Sequence, residues 1–110
     1  MSDLPAEDAK IVTLARAARA RTGATAGAAL RDTDGRTYSA TAVTLPSLSM
    51  TAVRLAVAVA ASSGAPGLEA VATDDEPSED DLQAVRDLGG SDVPVIVVDQ
   101  RGQVTATLRT

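Results

Sequence analysis

The residues able to carry chemistry in this chain are carboxylates, hydroxyls and arginines, because it contains no Cys and no His. A disulfide framework, a Cys/His zinc site, a nucleophilic thiol and a histidine general base are excluded by that inventory. The densest carboxylate group is Asp74, Asp75, Glu76, Glu79, Asp80 and Asp81. Hard cations such as Mg²⁺ or Ca²⁺ take several oxygen ligands, but the run lacks the Gly-containing spacing of a calcium loop. A helix start explains it more simply: Ser78 caps, Asp81 follows three residues later as in a capping box, and the carboxylates favour the positive end of the helix. Ser47, Ser49, Ser62 and Ser63 offer hydroxyls, yet without His and with Lys10 as the single Lys no ordinary base activates them. Arg16, Arg19 and Arg21 cluster near the end of the first helix, where basic residues complement the dipole; an anion site is the alternative. Gly64 to Gly67 and Gly89-Gly90 follow helices instead of opening them, which speaks against a phosphate loop.

These residues need elements to hold them. From Pro5 to about Arg21, Ile11, Leu14, Ala15 and Ala18 share one face of an amphipathic helix. Gly23 to Gly27 breaks it, and a hairpin follows around Asp32-Thr33-Asp34-Gly35, with Ala28 to Arg31 on one side and Arg36 to Val43 on the other. After Pro46-Ser47 a second helix is expected from about Leu48 to Ser62, capped by Ser47 or Ser49 and apolar nearly all round. A strand over Leu68 to Thr73, a helix over about Glu79 to Leu88, a buried strand over Pro94 to Val98 and a last strand over Gln103 to Leu108 complete the order αββαβαββ. The βαβ crossovers place helices over a mixed sheet.

With 110 residues the chain fits a single domain, 1–110. Its apolar content rests on Ala, Val and Leu, and Tyr38 is the sole aromatic residue. Small side chains bury little area apiece, so a core of this kind gains from subunit pairing and a homo-oligomer, dimer or tetramer, is expected. A formal charge of −5 disfavours nucleic acid. The longest apolar run, Met50 to Ala61, is interrupted by Arg54 and too short for a membrane span. Met1 to Lys10 lacks the pattern of a signal peptide. These features together suggest the cytoplasm.

Several strings in this order resemble the small cytidine deaminases: Gly27-Ala28-Ala29-Leu30, Asp34-Gly35-Arg36-Thr37-Tyr38, the apolar helix with Ala52 and Arg54, Pro77 before the third helix, Gln83 within it, and Pro94-Val95-Ile96-Val97-Val98. The resemblance spans nearly the whole chain and implies a cytidine-deaminase-like α/β layered sandwich, with a five-stranded mixed sheet and helices on its faces. It also implies a zinc held by a Cys or His before Ala-Glu and by two cysteines of a Pro-Cys-x-x-Cys motif, the Glu moving protons.

Here the first motif reads Thr51-Ala52-Val53 and the second Pro77-Ser78-Glu79-Asp80-Asp81. The family's Asn-x-Glu on the second strand aligns with Ala42-Val43-Thr44. Thr51, Val53, Ser78, Asp81, Ala42 and Thr44 are therefore expected as vestigial pocket positions, without metal, cofactor or catalytic residues, and Arg54 as an interface residue. On these grounds zinc-dependent deamination is not expected and the chain is read as no enzyme. The expected function is an oligomeric scaffold or protein-binding module, with a nucleoside-like small-molecule binder or a metal-free enzyme in the remodelled pocket as the alternative.

Overall fold

Strand residues alternate between two apolar faces, and each face has its own helices. The computed structural model describes residues 4–110; Met1 to Asp3, the start of the segment read for a signal peptide, lie outside them. The elements are α1 (Ala6–Thr22), β1 (Gly27–Asp32), β2 (Thr37–Thr41), β3 (Val43–Leu45), β4 (Leu48–Met50), α2 (Ala52–Ser62), β5 (Leu68–Thr73), α3 (Glu79–Gly89), β6 (Pro94–Val98) and β7 (Val104–Arg109). Five strands form a mixed sheet in the order β2-β1-β5-β6-β7. The β5–β6 pair is parallel and the other three pairs are antiparallel. A parallel pair needs a crossover, and α3 supplies it.

Ala28 and Leu30 of β1, Val71 of β5 and Val95 of β6 form one core with Ala52, Val53, Ala56, Val57 and Ala60 of α2 and Val85 of α3. Their neighbours Ala29, Ala70, Ala72, Ile96 and Val98 turn to the other side, against Ile11, Val12 and Ala15 of α1. This is the period-two alternation of a strand with both faces covered, and it gives three layers: α1, the sheet, then α2 with α3.

Gly27 is where α1 comes closest to the sheet. A Cβ there would collide with the Ala15 carbonyl oxygen and press on Arg19 Cβ, so only glycine admits this approach. Helix α1 ends at Gly23, whose left-handed φ of 69° lets its N–H donate to the Arg19 carbonyl.

The expectation of a helix from about Leu48 is corrected. Leu45-Pro46-Ser47-Leu48 is the tip of a small antiparallel hairpin, Val43 pairing with Met50 and Thr44 with Ser49. Ser47 and Ser49 are not caps; the N-cap of α2 is Thr51, whose hydroxyl accepts from the Arg54 N–H. Pro46 fits the first central position of a turn, and the alternation in Val43-Thr44-Leu45 and Leu48-Ser49-Met50 is that of strands. Strands β5 and β6 have the expected bounds, and α1, α3 and β7 differ from expectation by a residue at their ends.

The β1–β2 turn is held by a buried carboxylate. Asp32, fully buried, accepts hydrogen bonds from the N–H groups of Asp34 and Arg36, both 2.9 Å, and from the Tyr38 hydroxyl at 2.8 Å. Burial pushes this carboxyl up, but the Tyr38 hydroxyl and the Arg36 and Asp34 amides outweigh it and hold it below the usual range. The Tyr38 hydroxyl is raised by its bond to the same carboxylate, then by burial. Because the folded carboxyl titrates below its unfolded value of about 4, its stabilisation is complete above that pH and is lost as pH falls through the folded value. Replacing Asp32→Asn should lower Tm at neutral pH by several degrees. It should also flatten the fall of Tm below about pH 4, as read by circular dichroism melts across pH 2.5 to 7.

Candidate active site

Position Thr51 follows β4 and opens α2, while Ser78 opens α3, so the two helix starts meet beside the carboxyl end of β5. Asp81 joins them. Its Oδ1 accepts from the Thr51 hydroxyl at 2.6 Å and its Oδ2 from the Ser78 N–H at 3.0 Å. Ser78 Oγ in turn accepts from the Asp81 N–H at 3.1 Å, which completes the capping box expected from the sequence. Asp81 is only 4% exposed, and a buried carboxylate persists only where donors satisfy it; here both oxygens have one.

Beside this pair lies a cavity of about 10 Å³ lined by Ala26, Thr51, Ala52, Val53, Thr73, Asp75, Glu76 and Asp81. It has room for about one water. Of the expected pocket positions, Thr51, Val53 and Asp81 line it, and Ser78 stands against Asp81 through the capping bonds. Ala42 and Thr44 are not among its walls: Ala42 packs toward the α2-side core and Thr44 is exposed on β3. Arg54 is exposed on the outer side of α2, one turn from the cavity. Sequence reasoning missed Thr73, and it weighed Asp75 and Glu76 only as part of the acidic run, not as walls of this cavity; the end of β5 and the loop after it deliver all three. Thr73 is buried and donates to the Gly27 carbonyl at 3.2 Å; its place as the last residue of an apolar strand was the available signal.

Zinc does not fit this donor set. Two hydroxyls and one carboxylate replace the thiolate and imidazole donors that hold it, and the carboxylate is already bound on both oxygens. Among the described residues no group of three or more acidic side chains converges as a cation site; Glu79, Asp80 and Asp81 of the acidic run form the first turn of α3, while Asp74 accepts from the Gly27 N–H.

The Thr51–Asp81 bond also ties α2 to α3. Thr51→Val keeps the shape but leaves Asp81 Oδ1 without its side-chain donor and α2 without its cap. A loss of about 1–3 kcal/mol is expected, read as a lower urea midpoint with unchanged slope.

A family described as cytidine deaminase-like matches residues 4–102. Among curated protein sequences none matches. Among solved structures, a cytidine deaminase from Burkholderia pseudomallei is 24% identical, with a TM-score of 0.79, over 90% of this chain and 89% of that one. Cytidine deaminases from Mycobacterium leprae (23% identity, TM-score 0.71, 86% and 90% of the two chains) and Mycobacterium tuberculosis (24%, 0.69, 86% and 85%) match as well. The five-stranded sheet and its helices are thus the fold of those proteins. The expectation that the chain is no enzyme is corrected by these findings, because the matching structures are cytidine deaminases and point to an enzyme. That expectation weighed four side chains, whereas the fold that carries the family's chemistry extends over nearly all of the chain. On a family match that takes in all three helices and six of the seven strands, the chain belongs to the cytidine deaminase-like family.

Proposed function

We propose that this chain works as an oligomeric scaffold of the cytidine deaminase-like family, a single cytoplasmic domain that pairs with copies of itself or with other proteins. The observation that carries the reading is the Thr51–Asp81–Ser78 lock, which leaves a cavity of about 10 Å³ at the helix starts. A position that binds α2 to α3 contributes rigidity to a surface. The tip of the β3–β4 hairpin offers such a surface, with Leu45 56% and Leu48 53% exposed, and Val59 of α2 is 37% exposed. Full burial of a Leu is worth about 1.5–3 kcal/mol, so two per subunit weigh heavily in a symmetric interface. Arg54, exposed on α2, is of the residue type that suits a polar rim.

A second reading rests on the carboxylates of Asp75, Glu76 and Asp81 around the cavity, which can accept from an amino group of a nucleoside-type ligand. It requires the Asp74 to Pro77 segment to open, since a nucleoside needs far more room than one water. Cytidine turnover by the pure chain, measured as ammonia release, or saturable stabilisation by cytidine would favour this reading.

For the scaffold, light scattering after size exclusion should give a dimer or tetramer at micromolar concentration. The Leu45→Lys, Leu48→Lys double variant should run as a folded monomer. A monomeric parent at all concentrations up to several hundred micromolar would refute the assembly.

A further inference from the structure

A cleft on the opposite side of the sheet from Thr51 is lined by arginine. It encloses about 350 Å³ between the last turns of α1 and the β6–β7 turn, with Arg16, Arg19, Ala20, Gly23, Ala24 and Gln100 as walls. That volume lies in the range of small-ligand pockets, about 300–1,000 Å³. Arg16 and Arg19, three residues apart, share a face of the helix. Arg16 Nη2 donates to the Gln100 carbonyl at 3.3 Å and Arg19 Nη2 to Gln100 Oε1 at 3.1 Å.

Charge in this cleft is out of balance. Arg16 has no acidic partner among the described residues, and no carboxylate lines the walls. Arg19 Nη1 stands 3.7 Å from Asp74 Oδ2, behind the cleft, while Arg19 Nε is buried with no hydrogen-bond partner. Asp74, with its side chain 1% exposed, is itself fixed by the Gly27 N–H at 2.9 Å. It holds Arg19 in place without filling its donors. A buried N–H without an acceptor costs about 1–3 kcal/mol.

Complementing the helix dipole does not account for this arrangement. Near the end of α1 the Arg19 carbonyl accepts from the Gly23 N–H and the Ala18 carbonyl from the Thr22 hydroxyl, while the Arg16 and Arg19 side chains reach away from the helix end to Gln100. The Gln100 amide nitrogen has no partner among the described residues and adds a neutral donor at the same place.

The geometry points to a binding site for a small organic oxyanion, a phosphate monoester or a carboxylate, held between Arg16, Arg19 and the Gln100 amide. Planar guanidinium forks bind such groups through paired charge-assisted hydrogen bonds. Ala20, Gly23 and Ala24 leave room for the body of the molecule that bears the anion.

The test uses inorganic phosphate and succinate as separate probes, each titrated into the full chain at constant ionic strength set with NaCl. The readouts are the side-chain Nε–Hε resonances of arginine by NMR and the thermal midpoint. Saturable movement of the Arg19 Nε–Hε resonance with a rise in Tm is expected from at least one probe. Arg16→Gln should weaken that binding by about tenfold or more while leaving the unliganded Tm unchanged, since Arg16 is exposed and makes no ion pair. Arg21→Gln, on the same helix but outside the cleft, should bind as the parent does. Response to phosphate alone assigns the site to phosphate monoesters, and response to succinate alone to carboxylates. If neither probe saturates, or Arg16→Gln and Arg21→Gln bind as tightly as the parent, the site does not exist.

Discussion

The contact on which this structure depends is the approach of α1 to β1 at Gly27, where a side chain of even one carbon would strike the Ala15 carbonyl. A core built from Ala and Val fills little volume, so its layers cohere only if their backbones come close. Ala15 and Ala18 on the helix, and Ala28, Ala29, Ala70 and Ala72 on the strands, are all nearly inaccessible. The same closeness brings Arg19 beside Gly27 and Asp74, and Asp74 spends one oxygen on the Gly27 N–H. One glycine therefore sets the layer spacing, the end of β5 and the footing of the arginine cleft.

On the other side of the sheet a carboxylate performs the comparable service. Asp81 is buried between two helix starts and satisfies donors from both. Its bonds to Thr51 and Ser78 tie the start of α2 to the start of α3. Thr51 and Ser78 each cap their own helix, so they have a complete structural role without any ligand. Side chains committed in this way are poor material for a metal site, and that agrees with their chemistry.

Much of this was legible in the sequence, for physical reasons that differ by element. Strand β6 was plain because both its faces are covered, which demands an unbroken apolar run, and β5 because Gly67 precedes it and Ala70, Val71 and Ala72 form such a run within it. The capping box of α3 was plain because it is local chemistry between residues three apart. The β3–β4 hairpin was hidden because Leu48, Ser49 and Met50 run directly into an apolar helix, with only Thr51 to divide strand from helix. Arg16 and Arg19 were visible as a cluster, but their role depends on Gln100, more than eighty positions away, which no local pattern joins to them. Likewise Thr51 and Asp81 were each named from the family alignment, while the bond between them belongs to the tertiary structure.

The two cavities are not independent placements. Thr73 and Asp75 line the one beside Thr51, and Asp74 between them supports Arg19 in the other. Successive residues of an extended chain point to opposite sides of the sheet, so three consecutive residues at the carboxyl end of β5 serve both layers at once. Gln100, just past the carboxyl end of β6, closes the arginine cleft. Strands β5 and β6 are the parallel pair, and in parallel sheets the carboxyl ends are where loops part and ligands find room. On the α2 side the Thr51–Asp81 lock has closed that room, and on the α1 side two arginines keep it open. The fold thus places an opening on each side of one sheet end, and the side chains alone decide which opening remains.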